Sequence, residues 1–283
     1  MSLKALNISY TYQKKTPFEH KALNNVSVEI PKGSFTGIIG RTGCGKSTLL
    51  KHFNGLLTAD EGKIIVDDVE ADSKNVRDIR KKVGLVFQYP EYQLFEDTVY
   101  RDVAYGLNRE KISDEEKKER VIEALKTVGL DESYLERSPY ELSGGRKRRV
   151  ALAGVIVMKP QYLILDEPAA GLDPVGRRKI FSYIKKLQTE QGITIALVSH
   201  SMEDMADYAD NLIVMDEGVV VTEDTPENVF RKTEMLEKLG LAVPQISKVW
   251  EILRKEFPEL PDNIYTVQGA AEEIKKHMGG ENK

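Results

Sequence analysis

Short apolar runs bounded by turn residues recur along the chain and predict the strands of a sheet. The runs are, in chain order, FTGIIG, KIIVDD, VGLVF, YLILDEP, TIALVSH and NLIVMDEG. The later runs alternate with segments whose apolar residues repeat at helical spacing, which is typical of a largely parallel sheet covered by helices. We therefore predict an α/β fold built on such a sheet.

The N-terminal part and the middle of the chain depart from this alternation. LNISYTY and ALNNVSVEIPKG follow one another with only a loop between them, which predicts an antiparallel layer at the edge. Strand signals fade between about residues 90 and 160, where SDEEKKERVIEALKTVGL begins with a capping Ser113 or Asp114. We expect an inserted helical lobe in this region.

After about residue 225 the sequence becomes more polar and predicts a small C-terminal appendage. Its apolar residues at helical spacing are Ile246, Val249, Trp250, Leu253 and Phe257. Such a stripe packs either against its own domain or against a partner protein, and the pattern leaves both open. We divide the chain into a main domain at residues 1–225 and an accessory or dimerisation segment at residues 226–283.

Composition narrows the class of protein. The net charge of −4 over 283 residues gives no general attraction to nucleic acid, so we expect no nucleic-acid partner. The single cysteine and the lack of a charged-then-apolar leader favour the cytosol. The longest apolar run near the middle, VALAGVIVM, is far shorter than the ~20 residues that cross a bilayer.

The segment GIIGRTGCGKST carries the clearest chemistry, because it fits the phosphate-binding pattern G-x-x-x-x-G-K-[ST] between a strand and a helix. In this pattern backbone amides and the helix N-terminus cradle phosphates, the lysine reaches the β- and γ-phosphates, and the serine hydroxyl ligates Mg²⁺. The predicted ATP-binding residues here are Gly40, Arg41, Thr42, Gly43, Cys44, Gly45, Lys46, Ser47 and Thr48. Cys44 is either a small packing residue or a modifiable thiol.

Two further segments complete the candidate site. In YLILDEP a buried strand ends in Asp166, which can hold Mg²⁺ through water, followed by Glu167 as the general base. In ELSGGRKRRVALAGV, Ser143, Gly144 and Gly145 begin a helix, which forms a second anion-binding end. With this combination of motifs the sequence resembles the ATP-binding cassette (ABC) family from about residue 3 to residue 225. The fold implied is the P-loop NTPase domain of that family.

The resemblance implies roles for further residues. Gln88 matches the loop that links the metal site to the helical lobe, and also serves as a metal ligand. Asp173 in AGLDP matches a nucleotide-site loop of the family, and His200 matches the histidine that contacts the γ-phosphate. Tyr12 corresponds to the ring that stacks on adenine, with Phe18 as the alternative.

Members of the family bind head to tail, so that the Ser143 helix of one subunit closes over the Lys46 loop of the other. Position 146, usually glutamine in the family, is Arg146 here, which puts the contact from this position in question. The resemblance therefore implies that hydrolysis requires a second cassette ATPase, identical or not.

The segments TPFEHKAL and QYPEYQLFEDTV, with the extended C-terminus, resemble the second ATPase type of energy-coupling factor (ECF) transporters. That resemblance implies an ATPase at the cytoplasmic face of the cell membrane that energises uptake of a vitamin or metal ion. Its partners would be a transmembrane scaffold and, indirectly, a substrate-binding membrane subunit. The alternatives are an importer fed by an external binding protein and, as a more remote one, a soluble ABC ATPase.

The aromatic and acidic residues after Gln88 suit a contact with the membrane partner. The candidates are the rings Tyr89, Tyr92 and Phe95 and the acids Glu91, Glu96 and Asp97. Rigid rings can anchor a partner helix and the carboxylates can bind an arginine at its tip. The competing interpretation makes the rings local core and the acids a solvated face.

Overall fold

The computed structural model describes residues 1–262 and 264–279, so that Asn263 and residues 280–283 of the predicted C-terminal segment lie outside the described residues. The strands are β1 (Ser2–Tyr12), β2 (His20–Pro31), β3 (Phe35–Gly40), β4 (Glu61–Val66), β5 (Val69–Glu70), β6 (Val83–Val86), β7 (Tyr162–Asp166), β8 (Thr194–Val198), β9 (Asn211–Asp216) and β10 (Val219–Asp224). The helices are α1 (Lys46–Phe53), α2 (Val76–Lys82), α3 (Val99–Ala104), α4 (Asp114–Thr127), α5 (Gly144–Ile156), α6 (Pro174–Gln191), α7 (Met202–Tyr208), α8 (Pro226–Arg231), α9 (Thr233–Lys238), α10 (Gln245–Glu256) and α11 (Val267–Gly279).

Two sheets form the framework of the molecule. The first is antiparallel, with strand order β2-β1-β4-β5, and Leu3 on β1 lies opposite both Ile30 and Val66. The second has the order β10-β9-β3-β8-β7-β6, and all of its pairs are parallel except β10 with β9. The predicted α/β fold with an N-terminal antiparallel layer is confirmed.

The prediction for KIIVDD was wrong in one respect. This run forms β4, which pairs antiparallel with β1 rather than entering the parallel sheet. Ile64 and Val66 are buried whereas Glu61 to Lys63 are exposed, so β4 buries only one face. One-sided burial suits an antiparallel sheet with a solvated face, whereas a central parallel strand is covered on both faces.

Strand β7 shows how the two cores are divided. All five of its residues are buried, and they alternate between the faces of the sheet. Leu163 and Leu165 join the core under the helices, whereas Tyr162 and Ile164 join the core that also contains α1 and the antiparallel sheet. Burying each such side chain contributes about 1.5–3 kcal/mol. Both layers are therefore fixed to the same central strands.

Residues 90–156, all of which the structure describes, contain α3, α4, α5 and short 3₁₀ turns but no strand. Helix α4 begins after Ser113, whose hydroxyl accepts a hydrogen bond from the backbone N–H of Glu116. Val121 and Leu125 of this helix are fully buried in the core. The capping serine and the apolar spacing therefore correspond to a helix packed into the molecule.

The loops after β3, β8, β7 and β6 all leave the same edge of the parallel sheet. These four strands are neighbours in that order, and each chain segment leaves its strand at the carboxyl end. The loops begin at Gly40, Val198, Asp166 and Val86. Because ligands of open α/β sheets bind at this edge, the topology gathers the predicted site residues there.

The C-terminal helices enclose a small core of their own. Trp250, Leu260 and Ala270 are buried together, with Ile246, Leu253 and Ile264 packed against them. The indole Nε1–H of Trp250 donates a hydrogen bond of 2.7 Å to the carbonyl of Pro261. Val249 and Phe257 of the predicted stripe do not join this core and are about half exposed. None of the described helices is long and apolar enough to cross a bilayer.

We expect Trp250→Ala to unfold the C-terminal unit locally. Trp250 is 2% exposed, and its removal costs about 3–5 kcal/mol, which a core of so few side chains cannot absorb. Limited proteolysis should then cleave the chain after α9 while the rest resists. Ile252→Ala is the control, because Ile252 on the same helix is 63% exposed; equal protease resistance of both variants would contradict this role of Trp250.

Candidate nucleotide-binding and hydrolysis site

The loop between β3 and α1 needs glycine at two positions. Gly40 and Gly45 have φ angles of 155° and 101°, and a Cβ atom on either would lie within 2.5 Å of a backbone carbonyl, that of Met215 and that of Ala22 respectively. No other residue type avoids these overlaps. The two glycines thus let the loop pass close to β9 and β2, which fixes its path before the helix begins.

Lys46 is the first residue of α1, and its side chain reaches back to the start of this loop. Its side chain is buried, and Nζ donates hydrogen bonds of 2.7 Å to the carbonyls of Gly40 and Arg41. Cys44 is also buried, with its Sγ 3.7 Å from the same Nζ. The ammonium group is therefore held at the N-terminus of α1, where the helix dipole also favours an anion.

A cleft of ≈ 480 Å³ adjoins the loop and is formed by three chain segments, residues 20–22, 41–44 and 216–218. Arg41 forms an ion pair with Asp216, at 3.1 Å between Nη2 and Oδ1. Asp216 and residues 20–22 were not predicted as site residues, because they reach the loop through the sheet rather than through local spacing. The turn residues that end the run NLIVMDEG are a local signal for Asp216 alone.

Of the two candidate adenine-stacking rings, Tyr12 is attached to α1. Its hydroxyl lies 3.3 Å from the hydroxyl of Thr48, and its ring meets Tyr10 edge to face. Phe18 is 78% exposed in the β1–β2 loop. His52 also contacts Tyr10 edge to face, and burial lowers the pKa of His52, so that this imidazole is neutral at pH 7. The Tyr12 ring is thus held beside α1, whereas Phe18 lies mostly in solvent.

Glu167, His200 and Gln88 come together at the carboxyl edge of the sheet. Nε2 of His200 lies 2.6 Å from Oε1 of Glu167, and Nε2 of Gln88 lies 3.5 Å from Oε2. Glu167 also has a φ angle of 50°, a left-handed conformation that costs of order 1–3 kcal/mol. Backbone strain of this kind is common at catalytic positions, and here it accompanies a carboxylate contacted by two polar side chains.

The residues proposed for metal binding have suitable chemistry for Mg²⁺. The Asp166 carboxylate is buried at the end of β7, and no hydrogen bond or ion pair joins it to another described residue. With the hydroxyl of Ser47 and the amide oxygen of Gln88 it would supply oxygen ligands only, which Mg²⁺ prefers. The described residues contain no group of three or more His, Cys, Asp and Glu side chains that could hold a metal.

The second predicted anion-binding end is the tip of α5. Ser143 is its N-cap residue, is exposed, and makes no side-chain capping hydrogen bond. A Cβ atom on Gly144 would meet nothing within 4 Å, so the tip is open. Asp173 instead caps α6, accepting a hydrogen bond of 2.7 Å from Gly176. Among the described residues no hydrogen bond joins residues 143–145 to residues 40–48.

Arg146 extends away from the α5 backbone toward a tyrosine of the helical lobe. Its guanidinium carbon lies 5.5 Å from the centroid of the Tyr134 ring, and that of Arg137 lies 4.7 Å from the same ring. Tyr134 therefore makes cation–π contacts with two arginines. These contacts give the unusual arginine of the signature segment a defined position.

The segment after Gln88 is only partly as the sequence predicted. Tyr89, Tyr92 and Phe95 are exposed, Tyr92 to 85% of its surface, so they are not local core. Glu91, in contrast, forms an ion pair with Arg148 of its own chain, so its prediction as a free partner-binding acid was wrong. A buried arginine takes this carboxylate because an unpaired guanidinium would be costly there.

Comparison with known proteins agrees with these features. The family model described as "ABC transporter" matches residues 23–170. The energy-coupling factor transporter ATP-binding protein EcfA2 of Clostridium perfringens is 52% identical over 277 residues, covering 97% of each chain. The solved structure of cbiO1 from Clostridium perfringens, described as part of the ABC transporter complex cbiONQ, has a TM-score of 0.75 and 40% identity, covering 88% of this chain and 98% of that one.

A further solved structure shows a related cassette as a dimer. It is the ATP-binding cassette MJ0796 in a post-hydrolysis state bound to ADP and Pi, with a TM-score of 0.71 and 32% identity, covering 79% of this chain and 98% of that one. The match of the family model and the near-complete overlap with a relative of high identity agree with the motifs and the sheet order. The chain therefore belongs to the ABC transporter family, and within it to the energy-coupling factor transporter ATP-binding proteins.

Proposed function

We propose that this chain is the ATP-hydrolysing subunit of an ECF-type importer, acting at the cytoplasmic face of the membrane on the uptake of a vitamin or metal-ion micronutrient. The observation that carries the proposal is the Glu167 carboxylate, contacted by His200 and Gln88 at the sheet edge where the Lys46 loop also lies. Phosphate-binding loop, base and polar contacts are the parts that phosphoryl transfer to water requires.

Each residue has a defined task in this reaction. Lys46 exchanges its bonds to the Gly40 and Arg41 carbonyls for phosphate oxygens, while loop amides and the α1 dipole hold the remaining charge. Ser47, Asp166 and Gln88 would hold Mg²⁺, which neutralises charge on the β- and γ-phosphates when bound. Glu167 accepts the proton of the attacking water, and the Nε2–H of His200 orients that carboxylate.

The site proposed here is completed by a second cassette, whose own helix tip would close over this chain's Lys46 loop. The support is the open tip of α5, which has exposed amides but no bond to residues 40–48 of its own chain. The dimeric state of the related cassette supports the pairing of two cassettes. Ser143, Gly144 and Gly145 would then bind the triphosphate held by the partner, with Asp173 near the contact.

We assign the contact with the transmembrane scaffold to the exposed face of residues 89–97. Its apolar part consists of Tyr89, Tyr92 and Phe95, and its acidic part of Glu96 and Asp97. Glu91 is excluded because it is bound to the buried Arg148, whereas the Asp97 carboxylate, 3.7 Å from Arg101, stays exposed. The backbone N–H groups of Phe95 and Glu96 both donate to the Asp102 carboxylate, whose pKa is raised by burial. This carboxylate fixes the loop, so the face is presented in one conformation to a basic partner helix.

Charge reversal at this face tests the proposal. In Glu96→Lys with Asp97→Lys, the like charges should repel a basic partner helix, and less membrane complex should co-purify from detergent extract. ATP binding should not change, because neither residue lies at the Lys46 loop. The control is Glu119→Lys with Glu136→Lys, which makes the same charge change at exposed lobe residues. Recovery of the intact complex with the first pair of substitutions would refute this docking face.

Mass identification of the chains that co-purify with the native protein tests the class of transporter. A scaffold and a small substrate-binding membrane subunit would agree with an ECF-type importer. An external binding protein in their place would identify the other importer class. Purification of the chain without any membrane protein, under conditions that preserve membrane complexes, would contradict both.

A further inference from the structure

Arg148 is a charged side chain buried in the middle of α5, with 3% of its surface exposed. Its Nε and Nη2 donate to the two carboxylate oxygens of Glu91, at 2.9 Å and 2.5 Å. Its Nη1 donates to the carbonyls of Pro168, at 3.3 Å, and of Ala170. One guanidinium group thus joins three chain segments: α5, the segment after Gln88 and the segment after Glu167.

A non-glycine residue with a left-handed backbone conformation lies beside each of the two contacts that Arg148 makes outside α5. Tyr89, directly after Gln88, has a φ angle of 53°, and Glu167, directly before Pro168, has a φ angle of 50°. Such conformations persist only where surrounding contacts hold them. Arg148 supplies contacts at both places, through Glu91 two residues after Tyr89 and through Pro168 one residue after Glu167. Its guanidinium carbon also lies 5.8 Å from the Tyr89 ring centroid.

The geometry requires arginine in particular. A planar guanidinium can bind both oxygens of a carboxylate and still direct another N–H group at carbonyls on a different segment. A lysine ammonium keeps the charge but cannot make this two-pronged contact. A lysine at position 148 would therefore preserve the charge balance and lose the connection between the two segments.

We propose that Arg148 is a positioning residue for hydrolysis, which holds the backbone on both sides of the Gln88–Glu167 contact and connects it to α5. The inference rests on the proposed role of Glu167 as the base. Arg148 touches neither nucleotide nor water in this scheme and acts through the position of Glu167 and Gln88. Because Glu91 lies between Tyr89 and Tyr92, the same contact would carry movement of the partner-binding face to the base.

The test compares Arg148→Lys with Arg120→Lys in the purified, reconstituted transporter complex. Arg120 is a suitable control, because it likewise joins a carboxylate to the backbone, binding Glu110 (2.6 Å) and the single carbonyl of Val157 (2.9 Å). Misplacing a catalytic group by about 1 Å costs up to 100-fold in rate, so Arg148→Lys should lower kcat by about 10- to 100-fold. KM for ATP should stay within about threefold. Arg120→Lys should keep kcat within about twofold of wild type.

Glu91→Gln provides an independent variant if Arg148→Lys does not fold, with Glu110→Gln as its control. Glu91→Gln should also lower kcat, and combining it with Arg148→Lys should cause no loss beyond that of Arg148→Lys, because both variants break the same Arg148–Glu91 contact. Unchanged kcat in Arg148→Lys, or in Glu91→Gln where that variant decides, would overturn the proposal. So would an equal loss in the control, or a loss confined to KM. Failure of the proposed function has a different signature, namely a Glu167→Gln complex that hydrolyses ATP at the wild-type rate.

Discussion

Replacing Glu167 with glutamine is expected to lower ATP turnover of the assembled transporter by about 10²–10⁴-fold while ATP binding persists. Glutamine keeps the length of the side chain and can still contact His200 and Gln88, but its amide cannot accept the proton of the attacking water. The Lys46 loop is untouched, so the nucleotide should remain bound between two closed cassettes. Steady-state hydrolysis and equilibrium nucleotide binding, measured on the same preparation, separate the two effects.

A matched substitution guards against a general effect of removing charge. Glu190→Gln makes the same chemical change at an exposed position near the end of α6 and should leave turnover unchanged. Wild-type turnover in Glu167→Gln would mean that another group takes the proton. Loss of ATP binding in that variant would instead show that Glu167 serves the loop rather than the chemistry.

The second large effect is expected from Ser143→Arg at the tip of α5. If this tip binds the triphosphate of the other cassette, a bulky arginine should keep the two subunits apart and remove donors from the phosphate. Loss of preorganised donors of this type costs about 10²–10³-fold in turnover, here at the site whose lysine loop belongs to the partner. ATP binding by the loop of the substituted chain should not change. Hydrolysis by the complex and light scattering of the ATP-bound subunits measure the two predictions.

Ser133→Arg is the control for this variant, because Ser133 is another exposed serine of the same lobe. It should support normal hydrolysis and normal closure. If Ser143→Arg still closes on ATP and hydrolyses it at the wild-type rate, the two cassettes do not share the triphosphate. The proposed assembly would then have to be abandoned, even if Glu167 proved to be the base.

Much of the fold could be predicted because the decisive signals are local. The strand FTGIIG followed by the glycine loop and Lys46 specifies a strand, a turn and a helix within a few residues. KIIVDD was assigned to the wrong sheet because a short apolar run does not reveal its neighbours. It pairs with β1, a strand about 60 residues earlier in the chain, and the periodicity of a few residues does not identify such a distant neighbour.

Site residues that belong to a short sequence motif could be predicted. Those whose partner is distant in the chain could not. The Glu91–Arg148 pair joins residues 57 positions apart. A charged residue is normally expected at the surface, so the basic run RKRR gives no reason to place Arg148 in the interior. One signal was present: Arg148 shares a helical face with Leu152 and Ile156, which are buried. An arginine in a buried stripe predicts a paired charge.

The narrow approach of Gly45 to the Ala22 carbonyl limits how this protein can exchange parts with its relatives. Strand β2 forms one wall of the loop that holds the phosphates, so the N-terminal layer is not an independent module. A hybrid that took its first strands from one homologue and its loop from another would combine two backbone segments that did not evolve in contact with each other. Such recombination should succeed only when the junction leaves this backbone-to-backbone fit within a single parent.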